Sequence, residues 1–218
     1  MAKKIAIVLS GCGVKDGSEI HESVLTLLHT VNAGATPLFY APRGNQSIVV
    51  DHMTGDTVTE SRTMIVEAAR IARGEISFLE ELTPSEADGV IFPGGFGAAL
   101  NLSTFGKDGS GCTVNPEVEK VVMSFHSAGK PQGFICIAPA IAARVLGNKG
   151  VELTIGNDPS TASALESMGA KHINKTVTEI HVDQANKVVS TPAYMLARNI
   201  AEANEGIAKL VSAVLEMA

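Results

Sequence analysis

Apolar and polar positions alternate along this chain in a way that separates short buried strands from amphipathic helices. Residues 4–9 are a continuous apolar run, as expected of a parallel strand covered on both faces. A helix is predicted over 19–33. Ile20, Val24, Leu25, Leu27, Leu28 and Val31 share one face of it, the face expected to meet the core, and Gly34 provides the stop. Residues 36–41 read as a second strand, ended by Pro42-Arg43-Gly44, and 60–73 as a second helix ended by Gly74. Residues 89–92 form a third strand that runs into Pro93-Gly94-Gly95-Phe96-Gly97. A polar stretch over 101–115, carrying Cys112, is expected to be a long loop, either a flap over a site or a solvated surface insertion. Pro116 suits the first position of a helix over 117–128, and strand 132–135 and helix 139–146 follow. Short strands are expected near 151–155, 179–182 and 187–190, and a long helix from about residue 194. Strands separated by helices throughout predict a single α/β domain over 1–218, a mostly parallel sheet with helices on both faces.

Composition narrows the function. With 218 residues and 45% hydrophobic content, the chain is long enough for a self-sufficient core. The net charge of −6, without a block of Lys or Arg, excludes a nucleic-acid or anionic-membrane surface, and Trp is absent. No apolar run approaches the length of a membrane span. Cys12, Cys112 and Cys136 are odd in number and irregularly spaced, which is the usage of a reduced, cytoplasmic protein. None of the six histidines pairs at a metal spacing, so no metal is expected.

Ligands of open parallel sheets bind beyond the carboxyl ends of the strands, which singles out residues 10–18, 42–44, 93–97 and 136–139. The first cluster, Gly11-Cys12-Gly13-Val14-Lys15-Asp16-Gly17, has Asp16 where a dinucleotide fingerprint needs its third glycine, and it contains no P-loop. It reads as a tight turn, and no nucleotide cofactor is expected. In Gly133-Phe134-Ile135-Cys136-Ile137-Ala138-Pro139 an apolar strand runs into a cysteine and a helix begins within three residues. This is the strand–nucleophile–helix turn with Cys in place of Ser, although Phe134 stands where a small residue is usual. The helix N-terminus is expected to lower the thiol pKa and leave Cys136 partly ionised. A lone cysteine is also commonly a buried one. If strands 89–92 and 132–135 are neighbours, the N–H groups of Gly95 and Ile137 can cradle an oxyanion above Cys136. Asp16, Glu19 and Glu22 open the first helix, where acids complement the helix dipole. One of them, partly buried, can instead share a proton with Cys136.

Three segments, Ser10 to Glu22, Pro93 to Leu102 and Gly133 to Pro139, make the chain resemble the ElbB family over essentially its whole length. That family comprises isoprenoid-biosynthesis proteins with an amidotransferase-like domain, in the PfpI and class I glutamine-amidotransferase-like superfamily. The resemblance implies a flavodoxin-like three-layer sandwich with Cys136 as nucleophile, Glu22 as the facing acid, and Gly95 and Ile137 as the oxyanion hole. Gly94, Cys12 and Asp158 are further candidates for lining the site. Amide-hydrolysing relatives carry His-Pro after the elbow helix, whereas this chain has Asp158-Pro159, which argues against glutaminase or protease chemistry. The family's reported activity implies a cofactor-independent glyoxalase that turns a small carbonyl compound such as glyoxal into the hydroxy acid. The alternative is a non-catalytic, redox- or metabolite-sensing regulator linked to isoprenoid biosynthesis. A homodimer is expected from the superfamily.

Overall fold

The computed structural model describes residues 2–218. In chain order the elements are β1 (Lys4–Val8), α1 (Ile20–Asn32), β2 (Thr36–Ala41), β3 (Val49–Val50), β4 (Thr57–Val58), α2 (Met64–Ala72), β5 (Ser77–Phe78), β6 (Gly89–Phe92), α3 (Phe96–Leu100) and α4 (Phe105–Asp108). Then follow α5 (Pro116–Ser127), β7 (Gln132–Ile135), α6 (Pro139–Leu146), β8 (Glu152–Leu153), α7 (Pro159–Ser167), β9 (Lys171–His172), β10 (His181–Asp183), β11 (Val188–Thr191) and α8 (Ile200–Met217). Seven strands form one sheet in the order β10-β11-β7-β6-β1-β2-β5. All its pairings are parallel except β10 with β11. This is the flavodoxin-like α/β fold.

The run in β1 is apolar on both sides because both faces of the sheet are covered. Ile5, Ile7 and Leu9 point toward the layer of α1, α2 and α8, where Leu25, Ala68, Ile71, Ile207 and Leu210 meet them. Ala6 and Val8 point the other way, toward Val118, Val122 and Phe125 of α5 and Ile141 of α6. Phe134 is fully buried on that second side and stacks on Phe92 of the adjacent β6, ring centroids 5.0 Å apart. A large residue before the nucleophile is therefore a packing choice between two central strands.

Helix α1 reverses the expected polarity. It buries Glu22, Ser23, Leu25, Thr26 and Thr30, while Ile20, Val24, Leu28 and Val31 are 43–52% exposed. The buried hydroxyls need no external partner. Ser23, Thr26 and Thr30 donate to the helix's own carbonyls of Glu19, Glu22 and Thr26 at 2.7, 2.7 and 2.8 Å. A hydroxyl satisfied in this way packs against a sheet at little cost, so the apolar face is left for the outside.

The 101–115 stretch is not a loop over a site. It folds onto the body through α4 and a bridge between Ser103 and Val114, with Leu102 and Cys112 fully buried. Asn101 donates to the carbonyls of Ser10 and Asp16 at 2.9 and 2.8 Å and so braces the turn after β1. Of the two readings the surface insertion is the one found, with residues 106–108 and 110–111 exposed and buried Leu102, Cys112 and Val114 anchoring it.

Candidate active site

β6 and β7 pair in register, Phe92 beside Phe134, so the turns that follow them lie side by side. Cys136 ends β7 with φ 62°, a left-handed conformation that costs a non-glycine residue about 1–3 kcal/mol. Its N–H donates to the carbonyl of Thr191 on β11 at 3.0 Å, which pins the elbow from the other side. The backbone N–H groups of Gly95 and Ile137 and the carboxyl of Glu22 surround the sulfur. The structure therefore brings together Cys136, Glu22, Gly95 and Ile137, which come from the ends of three different strand–helix connections.

Gly94 belongs with them. A side chain there would place its Cβ 2.5 Å from the Cβ of Cys136 and 2.7 Å from Oε2 of Glu22, so only glycine lets thiol and carboxyl meet. The Gly94 N–H donates to Oε2 of Glu22 at 2.8 Å, and its carbonyl accepts from the Glu19 N–H at 2.8 Å. Gly95 has φ 93°, and a Cβ on it would strike the carbonyl of Gly17 and the N–H of Glu19. Gly95→Ala is expected to cost at least about 3 kcal/mol, because backbone strain and a backbone collision add at one position. Urea denaturation measures the loss, and a variant within about 0.5 kcal/mol of wild type would contradict it.

Glu22 is fully buried. Burial, and then the charge of Glu19, push its pKa up to about 8, against the pull of hydrogen bonds from the Tyr194 and Gly94 N–H groups and from Cys136. The carboxyl is therefore mostly protonated at neutral pH. The thiol of Cys136 moves opposite to expectation. Burial, and then the neighbouring Glu22, raise its pKa well above the ordinary thiol value, and the N–H groups of Gly95 and Ile137 only partly oppose this. The helix N-terminus does not decide the outcome, because Cys136 is only 8% exposed to water.

A cavity of about 420 Å3 opens in front of the sulfur, lined by Val14, Glu19, Gly95, Phe96, Cys136, Ile137, Thr161, Tyr194 and Met195. Its walls are largely apolar, and no Lys or Arg is among these residues. Val14 reaches it because the glycine-rich turn after β1 docks on the turn after β6, with the Phe96 N–H donating to the Val14 carbonyl at 2.7 Å. Tyr194 was not anticipated. Its N–H donates to Oε1 of Glu22 at 3.2 Å, and its hydroxyl meets Nδ1 of His21 at 2.8 Å. The signal for it was available, since β11 is another parallel strand and Tyr194 lies just past its carboxyl end.

Two candidates fall outside. Asp158 is exposed and caps α7, accepting from the Thr161 N–H at 2.7 Å, and hydrogen bonds from Thr161 hold its pKa below the usual carboxylate value. It does not line the cavity, because an N-cap side chain turns back onto its own helix. Cys12 does not line it either. It packs beside the Ile7, Leu9 and Phe39 cluster, and burial followed by the charge of Glu67 raises its pKa. Of the other acids, Glu19 accepts from the Glu22 N–H at 2.7 Å, and Asp16 accepts from the Val50 N–H at 2.8 Å. The second strand end, 42–44, is also elsewhere, its Arg43 paired with Glu80 and lying over the Phe78 ring. Among the described residues no cluster of His, Cys, Asp and Glu could hold a metal ion.

No known protein-family profile matches the chain. It is 49% identical to the rat mitochondrial ES1 protein homolog over 98% of this chain and 84% of that one. It is also 49% identical to the human mitochondrial glutamine amidotransferase-like class 1 domain-containing protein 3, over 99% and 84%. Among solved structures, an isoprenoid biosynthesis protein with an amidotransferase-like domain from Ehrlichia chaffeensis superposes with a TM-score of 0.93. It shares 34% identity, with 99% of each chain covered. The mitochondrial names of the rat and human relatives overturn the cytoplasmic location expected from the free cysteines. Unpaired thiols separate reducing from oxidising surroundings and do not tell one reducing compartment from another. At this level of identity over nearly its full length, the chain belongs to the ES1 family of glutamine amidotransferase-like class 1 domain proteins, within the PfpI-like superfamily that its ElbB-like motifs indicated.

Proposed function

We propose that this protein is a cofactor-independent glyoxalase that converts glyoxal, or a similar small 2-oxoaldehyde, to the hydroxy acid. The observation that carries the reading is the sulfur of Cys136 held between two N–H donors and a carboxyl that stays protonated to about pH 8. The thiol adds to one aldehyde carbon. The sulfur–carbon bond forms, the carbonyl electron pair moves to oxygen under the Gly95 and Ile137 N–H groups, and the thiol proton passes to that oxygen. Ionised Glu22 then removes the hydrogen of the sulfur-bearing carbon as a proton, giving an enediolate, and returns that proton to the second carbon while the hydroxyl proton of the first carbon passes to the second oxygen. One carbon is oxidised to a thioester and its neighbour reduced to an alcohol, so no external oxidant enters. Water cleaves the thioester, releasing glycolate and the thiol.

The cavity suits such a substrate. It holds no cation to neutralise a carboxylate or phosphate, and this supports a small uncharged carbonyl compound over a glutathione conjugate. A glutaminase would need a base beside the thiol, and the nearby histidine, His21, is engaged with Tyr194. A redox sensor would need an accessible thiolate, which burial opposes here.

Because the proton-transfer step uses ionised Glu22, the rate of glycolate formation by the purified protein is expected to climb between about pH 6 and pH 9 with an inflection near the Glu22 pKa of about 8. Glycolate is measured by chromatography and the Cys136→Ser protein supplies the blank. No glycolate above that blank would refute the proposal, and a rate independent of pH would refute the role of Glu22.

A further inference from the structure

The cavity in front of Cys136 is larger than glyoxal needs. Glyoxal, about the size of two to three waters, takes up roughly 80 Å3 at about 30 Å3 per water. The cavity measures about 420 Å3, within the range of about 300–1,000 Å3 usual for pockets that enclose a whole ligand. The surplus space is apolar, with Val14, Phe96, Ile137 and Met195 in its wall. Val14 is 39% and Phe96 55% exposed, so two large apolar side chains of this wall face water and gain by being covered. Two polar side chains of the wall are already engaged. Glu19 accepts from the Glu22 N–H at 2.7 Å, and the Tyr194 hydroxyl meets Nδ1 of His21 at 2.8 Å. With no Lys or Arg in the wall, a charged substituent would lose its hydration with nothing in exchange.

We infer that the substrate is an uncharged 2-oxoaldehyde whose ketone carbon carries a short aliphatic chain, held by a subsite of Val14, Phe96, Ile137 and Met195. This deepens the glyoxalase reading and rests on it. The chain takes no part in the chemistry. The Cys136 thiol adds to the aldehyde carbon, the ketone carbon receives the proton and becomes the alcohol, and water releases the 2-hydroxy acid. Atoms and electrons balance as they do for glyoxal, with one carbon oxidised and its neighbour reduced. The subsite contributes binding, at about fourfold for each methylene it covers. Met195, unbranched and flexible, lets the wall follow chains of different length.

A pair of homologues separates the subsite from the reacting groups. 2-Oxohexanal exceeds 2-oxopropanal by three methylenes, and covering all of them corresponds to about 60-fold. Wild-type kcat/KM is expected to be at least about tenfold higher for 2-oxohexanal, and Phe96→Ala to bring the ratio within about threefold. Phe96 is more than half exposed, so its truncation leaves the core intact, and Val14→Ala repeats the test at a second wall position. Titration calorimetry with the unreactive amides 2-hydroxyhexanamide and lactamide reads the same preference without turnover. A tighter Kd for the longer amide, by about tenfold and reduced in Phe96→Ala, supports the subsite. If neither aldehyde were turned over by a protein with that amide preference, the glyoxalase reading would fall and the subsite would stand. Equal turnover of the two aldehydes with equal binding of the two amides would overturn the inference and leave the glyoxalase reading in place. A preference untouched by both substitutions would place the chain elsewhere and overturn it equally.

Discussion

Glu22→Gln is expected to gain on wild type in stability as pH rises, by several kcal/mol between about pH 5 and pH 9. The folded carboxyl titrates at about 8 and a free glutamate at 4.5. Between those values the folded state binds the extra proton, so wild-type stability falls as pH rises through the window and levels off above about 8. The stabilisation is fully present below 4.5 and lost above the folded value. The distance from 4.5 to about 8, at about 1.4 kcal/mol per pH unit, is on the order of 5 kcal/mol. Glutamine has no proton to lose there. It also has no acceptor to spare for the Tyr194 N–H once Gly94 is satisfied, a penalty of about 1–3 kcal/mol that does not vary with pH. The prediction is therefore the pH slope of the difference between the two proteins, read from urea midpoints at several pH values. Parallel stability curves would show that Glu22 is not held protonated.

The second large effect is on turnover. Cys136→Ser is expected to lower glycolate formation by about 1,000-fold or more, because a hydroxyl in the same place neither ionises nor adds to a carbonyl as a thiol does. The fold should survive, since serine fits the elbow without added volume and the strained backbone at φ 62° is unchanged. Glu22→Gln should lose turnover to a similar degree while the thiol still adds to the aldehyde. Residual rates near wild type in the serine variant, on a chromatographically pure sample, would remove the sulfur from the chemistry.

How far the sequence reached depended on whether the decisive interaction was local. β2, β6, β7 and α6 were legible to the residue, because continuous apolar runs bounded by Gly and Pro leave little freedom in where a buried strand starts and stops. The elbow and the glycine turn were legible for the same reason, and the parallel sheet then had to bring them together. The short β3–β4 hairpin and β9, two residues per strand, carry too little periodicity to be seen, whereas β8 lies inside the strand expected near 151–155. α8 begins at Ile200 and not near Tyr194 because the turn over Ala193–Met195 closes against the site first. The periodicity of α1 identified an apolar face correctly but not what that face meets, since hydroxyls that bond their own helix let the other side go inward. The thiol pKa failed for a comparable reason. A helix N-terminus is visible in sequence, whereas complete burial beside a carboxyl is a property of the assembled sheet ends.

The central claim is that the Cys136 sulfur bonds to the carbonyl carbon and that Glu22 acts only afterwards. Intact-mass spectrometry of the Glu22→Gln protein after brief exposure to glyoxal and borohydride quenching, followed by peptide mapping, addresses it most directly. The account predicts one glyoxal-derived adduct per chain, located on Cys136 and absent from buried Cys112. An unmodified Cys136, with adducts only on Cys12 or on lysine and arginine side chains, would contradict it.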